Sequence, residues 1–380
     1  MKIAHICLAS AFTEGMGYQE NLLVEVNRLD GHEVLVVSDC KRYEGSLIVD
    51  AEPEDRVMAN GAQLVRIPFD CIGPRYLTQK VKRSHQLFPL LEKYRPDAIL
   101  YHGVIGWELR SISRYKKCFP DVRIYLDSHE DRHNSATNWL SYNVQYRMLT
   151  RWLAHRVLPY VEKILYISRE TKDFLVDVLD LPAERLEYYP LGGVVVPDLE
   201  RAAIRSAERS KLGLMDDQIV FLHSGKMESR KRTLEVLSAF RSLKAPSARL
   251  VLVGSLEDDV RLEIEAAILR DNRVLFLGWK NRDELSDIMC MSDIYVQPGG
   301  QSASLQHAIC CGLPVMVFPY PSHELMVQGN GFFVSTAGDM TMKMTEFVSQ
   351  PDMVPAMRKA SYRIAGDLLD YTKLAARIYR

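Results

Sequence analysis

Short apolar runs rich in β-branched residues alternate with helical patterns along this chain, and most of the runs lead into a loop with glycine or small polar residues. This alternation predicts parallel sheets that are covered by helices on both faces. The alternation stops in residues 190–214, a segment with glycines, prolines and many charges, and then starts again. The predicted fold class is therefore α/β, with two Rossmann-like domains and the boundary between them in that segment.

The chain is long enough for two domains of ordinary size, each with its own core, because it has 380 residues. The predicted strands of the first half are residues 2–8, 34–37, 63–67, 98–101, 123–126 and 163–167, and those of the second half are residues 218–222, 249–253, 274–276, 294–296 and 314–318. Residues 353–380 have a helical pattern with no strand after it.

Charge and cysteine usage exclude several classes of protein. The chain has 48 basic and 49 acidic residues, so its net charge of −1 gives no reason to expect nucleic acid as a partner. Its 7 cysteines include no C-x-x-C pair, which favours unpaired thiols in a reducing compartment. No segment resembles a signal peptide or a membrane span. We therefore expect a cytoplasmic protein.

A glycine turn between a strand and a helix is the strongest candidate for a binding site. Gly299 and Gly300 follow the strand predicted at residues 294–296, and a compact helical pattern begins at Ser304. Backbone N–H groups and the positive end of the helix dipole meet in such a turn and favour a phosphate. Gln301 and Ser302 add neutral hydrogen-bond donors. An ordinary loop with a serine cap is the alternative interpretation.

A second glycine-bearing loop follows the strand predicted at residues 218–222. Gly225 comes first, and Lys226 and Lys231 flank a polar stretch before a helical pattern begins. Neither a Walker loop nor the Rossmann glycine fingerprint is present. A solvated basic loop is one interpretation. Together with the first loop, however, the lysines indicate a clamp for a diphosphate.

Further glycines follow other predicted strands. Gly15 and Gly17 follow the first strand of the first half, and Gly254 and Gly278 follow strands of the second half. Open α/β sheets bind their ligands at the carboxyl ends of the strands. We expect a cleft between the two domains to collect these loops.

Several stretches of the sequence resemble motifs of the retaining GT-B glycosyltransferases of family 4 (group 1), and they occur in the same order as in that family. The stretches are MKIAHI, GHEVLVVSD, LDSH, ILYISRE, HSGKMESRK, VLFLGWKNRDELSDIMCMSDIYVQP and AICCGLPV. Lys231 matches the lysine of the family motif Gly-Arg-x-x-x-x-Lys, and Lys226 stands where arginine is usual.

This resemblance implies two facing Rossmann-like domains: an acceptor-side domain over residues 1–196, a nucleotide-sugar domain over residues 197–360, and a final helix over residues 361–380 that packs back on the first domain. It implies transfer of a sugar, of hexose type, from a nucleotide diphosphate donor to a glycan or lipid-linked acceptor, with retention at the anomeric carbon. Cell-surface polysaccharide or glycoconjugate synthesis is the implied role. No metal or other cofactor is expected, because lysines and a helix start neutralise the diphosphate.

The residues predicted to act in catalysis are His129, Lys226 and Lys231. His129 would hydrogen-bond the donor sugar as a neutral imidazole. The residues predicted to bind the donor nucleotide are Gly15, Gly17, Gly225, Lys226, Lys231, Gly278, Trp279, Gly299, Gly300, Gln301, Ser302, Ala303, Ser304 and His307.

The chain departs from the family at its hallmark, a pair of glutamates near the donor. Gly299 and His307 stand at these two positions. Gly299 would leave space where relatives have the first carboxylate, and His307 could hydrogen-bond a ribose. Two alternatives stay open. One is a non-catalytic partner subunit, and the other is a nucleotide-sugar epimerase of the same architecture, for which Glu108, Glu130 and Asp131 offer carboxylates without a recognisable arrangement.

His129 and His133 match the zinc pattern H-E-x-x-H, but that pattern needs both histidines in one helix, and His129 follows a strand. Basic residues and apolar residues are interleaved in three segments, residues 75–95, 114–117 and 147–156. These segments indicate peripheral contact of the first domain with an anionic membrane. Solvated helix faces are the alternative interpretation. Trp107 and Trp139 could stack on a sugar or belong to the core.

Overall fold

The structure of the protein, a computed structural model, describes residues 1–44 and 47–379. It divides into two compact units. Unit 1 comprises Met1–Pro190 together with the residues from Tyr371 onward, and unit 2 comprises Leu191–Asp370. The predicted divisions at 196/197 and 360/361 lie six and ten residues from these boundaries. Both linking segments lie within unit 2 because Gly193 pairs with Asp370 in a β-bridge.

Unit 1 is built on an eight-stranded sheet in the order β10-β9-β8-β7-β1-β2-β6-β5, and β3 and β4 form a separate hairpin. The strands are β1 (Lys2–Cys7), β2 (Glu33–Ser38), β3 (Lys41–Glu44), β4 (Leu47–Asp50), β5 (Asp55–Val57), β6 (Gln63–Arg66), β7 (Ala98–His102), β8 (Arg123–Ser128), β9 (Lys163–Tyr166) and β10 (Leu186–Tyr188). Only the pairing of β5 with β6 is antiparallel in the eight-stranded sheet.

The helices of unit 1 are α1 (Gln19–Leu29), α2 (Arg75–Val81), α3 (Leu87–Tyr94), α4 (Leu109–Cys118), α5 (Arg151–Val157) and α6 (Arg169–Asp177), and a π-helical segment, Ser141–Thr150, precedes α5. The core strand β1 is apolar enough to be buried on both faces, as a central parallel strand requires. It lies between β2 and β7, where Ile3 is in register with Val34 and Ala98.

The last residues of the chain complete the core of unit 1. They form a short helix that we number α14 (Tyr371–Ala376), and they continue through Tyr379. Tyr371, Leu374 and Ile378 are buried in one cluster with Ile3 and Leu22. This segment therefore covers β1 and α1. Arg380, at the end of the helix predicted over residues 361–380, lies outside the described residues.

Unit 2 is built on a six-stranded parallel sheet in the order β13-β12-β11-β14-β15-β16. The strands are β11 (Ile219–Ser224), β12 (Ala248–Val253), β13 (Val274–Phe276), β14 (Ile294–Gln297), β15 (Val315–Val317) and β16 (Gly331–Phe333), and the helices are α7 (Asp198–Lys211), α8 (Thr233–Ser242), α9 (Arg261–Leu269), α10 (Arg282–Met291), α11 (Ala303–Cys310), α12 (Ala337–Ser349) and α13 (Met353–Ile364). The strand order changes direction between β11 and β14. Open α/β sheets bind ligands at such a switch point.

Most of residues 190–214, the segment predicted to contain the domain boundary, is helix α7. Two of the charges in α7, those of Arg201 and Arg209, are buried rather than solvated. Arg201 donates to the carbonyl of Ser292 at 2.8 Å, and Arg209 pairs with Asp293 at 2.6 Å. The predicted α/β class with two parallel sheets is confirmed. None of the described helices is long and apolar enough to cross a membrane.

Candidate functional site

The two loops predicted to hold phosphate meet at the switch point of unit 2. One loop follows β11 and the other follows β14, and these strands are neighbours in the sheet. Gly225 begins the first loop with φ +126°, a conformation that favours glycine. A Cβ at this position would lie 3.4 Å from both Cε and Nζ of Lys231. The lysine side chain therefore folds back over the end of β11.

Lys231 and Lys226 differ in their surroundings. Burial lowers the pKa of Lys231 to about 8, and within the described part of the chain its ammonium group has no hydrogen bond or ion pair. The side chain of Lys226 is 57% exposed and pairs with Glu257 at 3.1 Å. Among the described residues, Lys231 thus forms no ion pair, whereas Lys226 already has one with Glu257.

The glycine turn at Gly299 and Gly300 packs tightly against the backbone of the loop after β11, which we call the lysine loop because it carries Lys226 and Lys231. A Cβ on Gly299 would lie 2.3 Å from the carbonyl oxygen of Arg230 and 2.6 Å from Cα of Lys231. The N–H of Gly300 donates to that same carbonyl at 3.2 Å. Arg232 donates to the carbonyl of Pro298 at 3.0 Å. The expectation that Gly299 leaves free space is wrong, because the neighbouring backbone fills it.

A buried chain of hydrogen bonds supports the turn from below. Ser224 and Tyr295 join their hydroxyl groups at 3.2 Å, and the hydroxyl of Tyr295 donates to Gln297 Oε1 at 3.0 Å. Gln297 Nε2 donates to the carbonyl of Gly300 at 2.6 Å. These polar residues were not identified from the sequence. The signal that could have indicated them is a tyrosine and a glutamine in an otherwise apolar strand.

The start of α11 presents unpaired donors. Ser302 caps the helix by accepting from the N–H of Ser304 at 3.3 Å. The N–H groups of Gln301, Ser302 and Ala303 have no acceptor among residues 1–44 and 47–379. Such groups at a helix start bind anions. The turn can therefore accept a phosphate beside Lys231.

His307 lies one turn further along α11 and is half-buried. Burial, reinforced by the charge of Arg282, lowers the pKa of His307 to about 4, so the ring is neutral at pH 7. In the described structure the ring makes no hydrogen bond. Its Cδ2 would lie 3.3 Å from a Cβ on Gly193. A neutral ring without a partner can donate to or accept from a ligand hydroxyl.

The remaining nucleotide-binding candidates of unit 2 follow β13. The carbonyl of Gly278 accepts from the N–H of Gly254 at 2.8 Å, which joins the loops after β12 and β13. Trp279 is 68% exposed. A Cβ on Gly254 would lie only 1.8 Å from the carbonyl oxygen of Gly225, so these loops pack closely at the carboxyl ends of the strands.

In unit 1, His129 directly follows β8 and faces a buried carboxylate. His129 Nε2 lies 3.7 Å from Asp127 Oδ1, and the histidine side chain is 40% exposed. Burial opposes the charged ring, but Asp127 outweighs it and raises the pKa of His129 to about 9. The expectation of a neutral imidazole is therefore wrong, because the ring is charged at pH 7.

Gly15 and Gly17 lie in the loop between β1 and α1. Gly15 is exposed with φ +81°, and a Cβ there would meet nothing within 4 Å. His129, Gly15 and Gly17 belong to unit 1, whereas the other predicted site residues belong to unit 2. The segment from His129 to His133 is not helical, and the described residues contain no group of three or more His, Cys, Asp or Glu side chains that could hold a metal ion.

Models of two families match most of the chain. The model described as "Glycosyl transferase 4-like domain" matches residues 15–192, which lie mainly in unit 1. The model described as "Glycosyl transferases group 1" matches residues 204–363, which lie in unit 2. The second match includes both the lysine loop and the glycine turn.

Solved structures share the whole fold. HepE of Anabaena in complex with UDP-glucose is 17% identical with a TM-score of 0.68, and the alignment covers 100% of this chain and 98% of that one. Sucrose-phosphate synthase of Thermosynechococcus elongatus is 16% identical with a TM-score of 0.71 and coverages of 99% and 96%. An uncharacterized glycosyltransferase of Methanocaldococcus jannaschii is 34% identical over 91 residues, which take in 22% of this chain and 23% of that protein.

Proposed function

The chain belongs to the group 1 glycosyltransferases of the family 4-like type, which have the GT-B fold, and from this membership we propose that it transfers a sugar from a nucleotide diphosphate donor to a glycan or lipid-linked acceptor. Retention at the anomeric carbon, a hexose as the transferred sugar and a role in cell-surface glycoconjugate synthesis belong to this proposal. They rest on the family resemblance of the motifs.

The observation that carries the proposal is the unpaired ammonium of Lys231 beside the free N–H groups at the start of α11. Charge develops on the diphosphate as it leaves the sugar, and fixed donors aimed at that charge lower the barrier. Lys231 forms no ion pair within the described part of the chain, so it has none to give up when the diphosphate binds. Lys226 would have to exchange Glu257 for the ligand.

His307 supports the nucleotide part of the proposal. Its neutral ring lacks an internal partner and stands where the family has its ribose-binding glutamate. The structural neighbour HepE is described in complexes with UDP and with UDP-glucose. Uridine diphosphate sugars are therefore the first donors to test.

We propose that no metal takes part, since Lys231 and the helix start neutralise the diphosphate. We also propose a cytoplasmic location. All 7 cysteines are free thiols, and free thiols suit a reducing compartment.

A peripheral contact with anionic lipid is part of the proposal, and unit 1 has a surface that supports it. Large apolar side chains are exposed at intervals of about one helical turn along the helix that runs into α5, and their exposed fractions are 74% for Trp139, 54% for Leu140, 42% for Val144, 66% for Met148 and 39% for Trp152. Exposed apolar residues in such a row suit the interfacial region of a bilayer.

Cations without counterions lie next to this row. Arg110, Arg114, Lys117 and Arg156 line one surface depression, and each stacks on an aromatic ring. Within the part of the chain that the structure describes, none of the four pairs with a carboxylate. The basic segment predicted over residues 75–95 contributes only in part, because α3 buries Leu87, Phe88 and Leu91.

The first experiment incubates the protein with UDP-sugars and measures release of nucleoside diphosphate with and without lipid-linked or oligosaccharide acceptors. Release that requires an acceptor is expected for a transferase. An epimerase would change the sugar without releasing the nucleotide, and a non-catalytic subunit would bind the nucleotide without turnover. The variant Lys231→Ala should lose at least about tenfold in rate, which corresponds to about 1.4 kcal/mol.

The membrane contact has its own test. Arg114→Glu combined with Arg156→Glu should release the protein from vesicles that contain anionic phospholipid, and wild type should bind these vesicles but not zwitterionic ones. Lys244→Glu, a charge reversal on the surface of unit 2, is the matched control. Equal binding of all three proteins to both kinds of vesicle would contradict this part of the proposal.

A further inference from the structure

Three histidines and one aspartate form a continuous polar chain inside the sheet of unit 1. His5 Nε2 lies 2.8 Å from Asn27 Oδ1, and His5 Nδ1 lies 3.1 Å from His102 Nε2. His102 Nδ1 lies 2.6 Å from Asp127 Oδ2. His129 Nε2 then lies 3.7 Å from the other oxygen of the same carboxylate. The chain thus leads from the core to a half-exposed ring at the end of β8.

Asp127 is held rigidly at the centre of this chain. It is fully buried, and its Oδ1 accepts the N–H of Gly103 at 2.9 Å while its Oδ2 accepts from His102. The parallel register of β7 and β8 places His102 opposite Asp127. Burial disfavours the charged carboxylate, but the charge of His102, its hydrogen bond and the nearby His129 outweigh burial and hold the pKa of Asp127 well below its usual range. The carboxylate therefore stays ionised and cannot turn away from His129.

We propose that Asp127, oriented by His102 and His5, is a positioning residue that keeps His129 as an imidazolium at the open end of β8. The ring then offers a charged N–H to the ligand of this site instead of a neutral one. The part that concerns the reaction rests on the proposed function, because it requires His129 to contact the donor sugar.

The other groups that face His129 are also acidic. Glu20 lies in the first turn of α1, and Glu130 follows His129 in the chain. The charge of Asp127 acts on His5, His102, Cys7 and Tyr189 as well as on His129. Among the described residues, the charged groups with the largest effects on the pKa of His129 are all acidic and all raise it. A histidine that merely filled space in the core would not need a buried carboxylate.

The test is an NMR titration of histidine rings in the full-length protein, with the signal of His129 identified by its absence in His129→Gln. Wild-type His129 should titrate near pH 9. In Asp127→Asn its midpoint should fall by at least about two pH units, because the neutral amide removes the ion pair. Glu130→Gln is the matched control and should lower the midpoint by less.

A wild-type midpoint near the ordinary value for histidine would overturn the inference, and this measurement needs no variant to fold. An unchanged midpoint in folded Asp127→Asn would overturn it as well. Because the titration requires no turnover, it stands apart from the proposed function. If the midpoint shifts as expected and glycosyl transfer keeps its pH profile in Asp127→Asn, Asp127 is confirmed as the residue that keeps His129 charged, and the assigned role of His129 in transfer fails.

Discussion

Lys231 should make nucleotide binding depend on pH in a way that follows from its burial. The free protein holds the pKa of this lysine at about 8 instead of 10.5, because the ammonium is buried without a counterion. A bound diphosphate supplies that counterion and restores the charged form. Binding should therefore take up about 0.1 proton at pH 7, about half a proton at pH 8 and about 0.9 proton at pH 9. The affinity should fall about tenfold between pH 7 and pH 9.

Isothermal titration of UDP in buffers of different ionisation enthalpy measures this proton uptake directly. The diphosphate itself is ionised throughout the range, since its last pKa lies near 6. Lys231→Arg is the matched variant, because a guanidinium stays charged and should bind UDP with an affinity that hardly changes with pH. Wild-type binding without proton uptake and with constant affinity from pH 7 to pH 9 would refute the reasoning. Equal pH dependence in Lys231→Arg would refute it too.

The burial of Lys231 should also make the stability of the protein depend on pH, but stability should rise with pH, whereas the affinity for UDP falls. A lysine whose pKa is lowered by folding destabilises the protein while it is charged, so this cost is fully present below pH 8 and disappears as the pH rises from about 8 to 10.5. The difference corresponds to roughly 3 kcal/mol. Lys231→Met should therefore unfold at a higher temperature than wild type at pH 7, while losing affinity for UDP.

Three further outcomes can be checked with the same materials. His307→Ala should weaken UDP binding by roughly 1–3 kcal/mol with little change in melting temperature, whereas a core role would lower the melting temperature and leave the affinity unchanged. Gly299→Ala should cost about 1–3 kcal/mol of stability because its Cβ would lie 2.3 Å from the carbonyl oxygen of Arg230, and Gly300→Ala, with nothing within 4 Å, should cost much less. EDTA should leave glycosyl transfer unaltered, and strict dependence on added Mg²⁺ would contradict the proposal of a metal-independent reaction.

The sequence predicted the central strands well because their apolar runs have only one stable environment. The strands predicted at residues 249–253 and 294–296 differ from β12 and β14 by one residue, and even an edge strand, β13, has the predicted bounds of residues 274–276. The strands that were missed lack this signal. β3 and β4 form an exposed hairpin, and β10 and β16 are three-residue edge strands whose pairing depends on the rest of the sheet.

The residues of the candidate site also fall into two groups, those that the sequence indicates and those that it does not. Glycines and lysines at strand ends are visible in the sequence, and the structure brings Gly225, Lys231 and Gly299 together. The sequence does not show which groups set the charge and orientation of the site residues, because those groups come from separate strands. Nothing near His129 in the sequence reveals that Asp127 is fixed by His102, and a neutral ring was therefore expected. Polar residues inside apolar strands are the signal that could have indicated such buried contacts.

The segment from Tyr371 to Tyr379 has a consequence for the order in which the protein folds. It covers Ile3 and Leu22 in unit 1, yet the ribosome makes it only after all of unit 2. During synthesis, therefore, the earliest part of the chain keeps an uncovered apolar face while the later unit completes its own sheet. Exposed faces of this kind invite aggregation. A truncation after Asp370 should accordingly damage the unit that is made first, although the deletion lies at the opposite end of the chain.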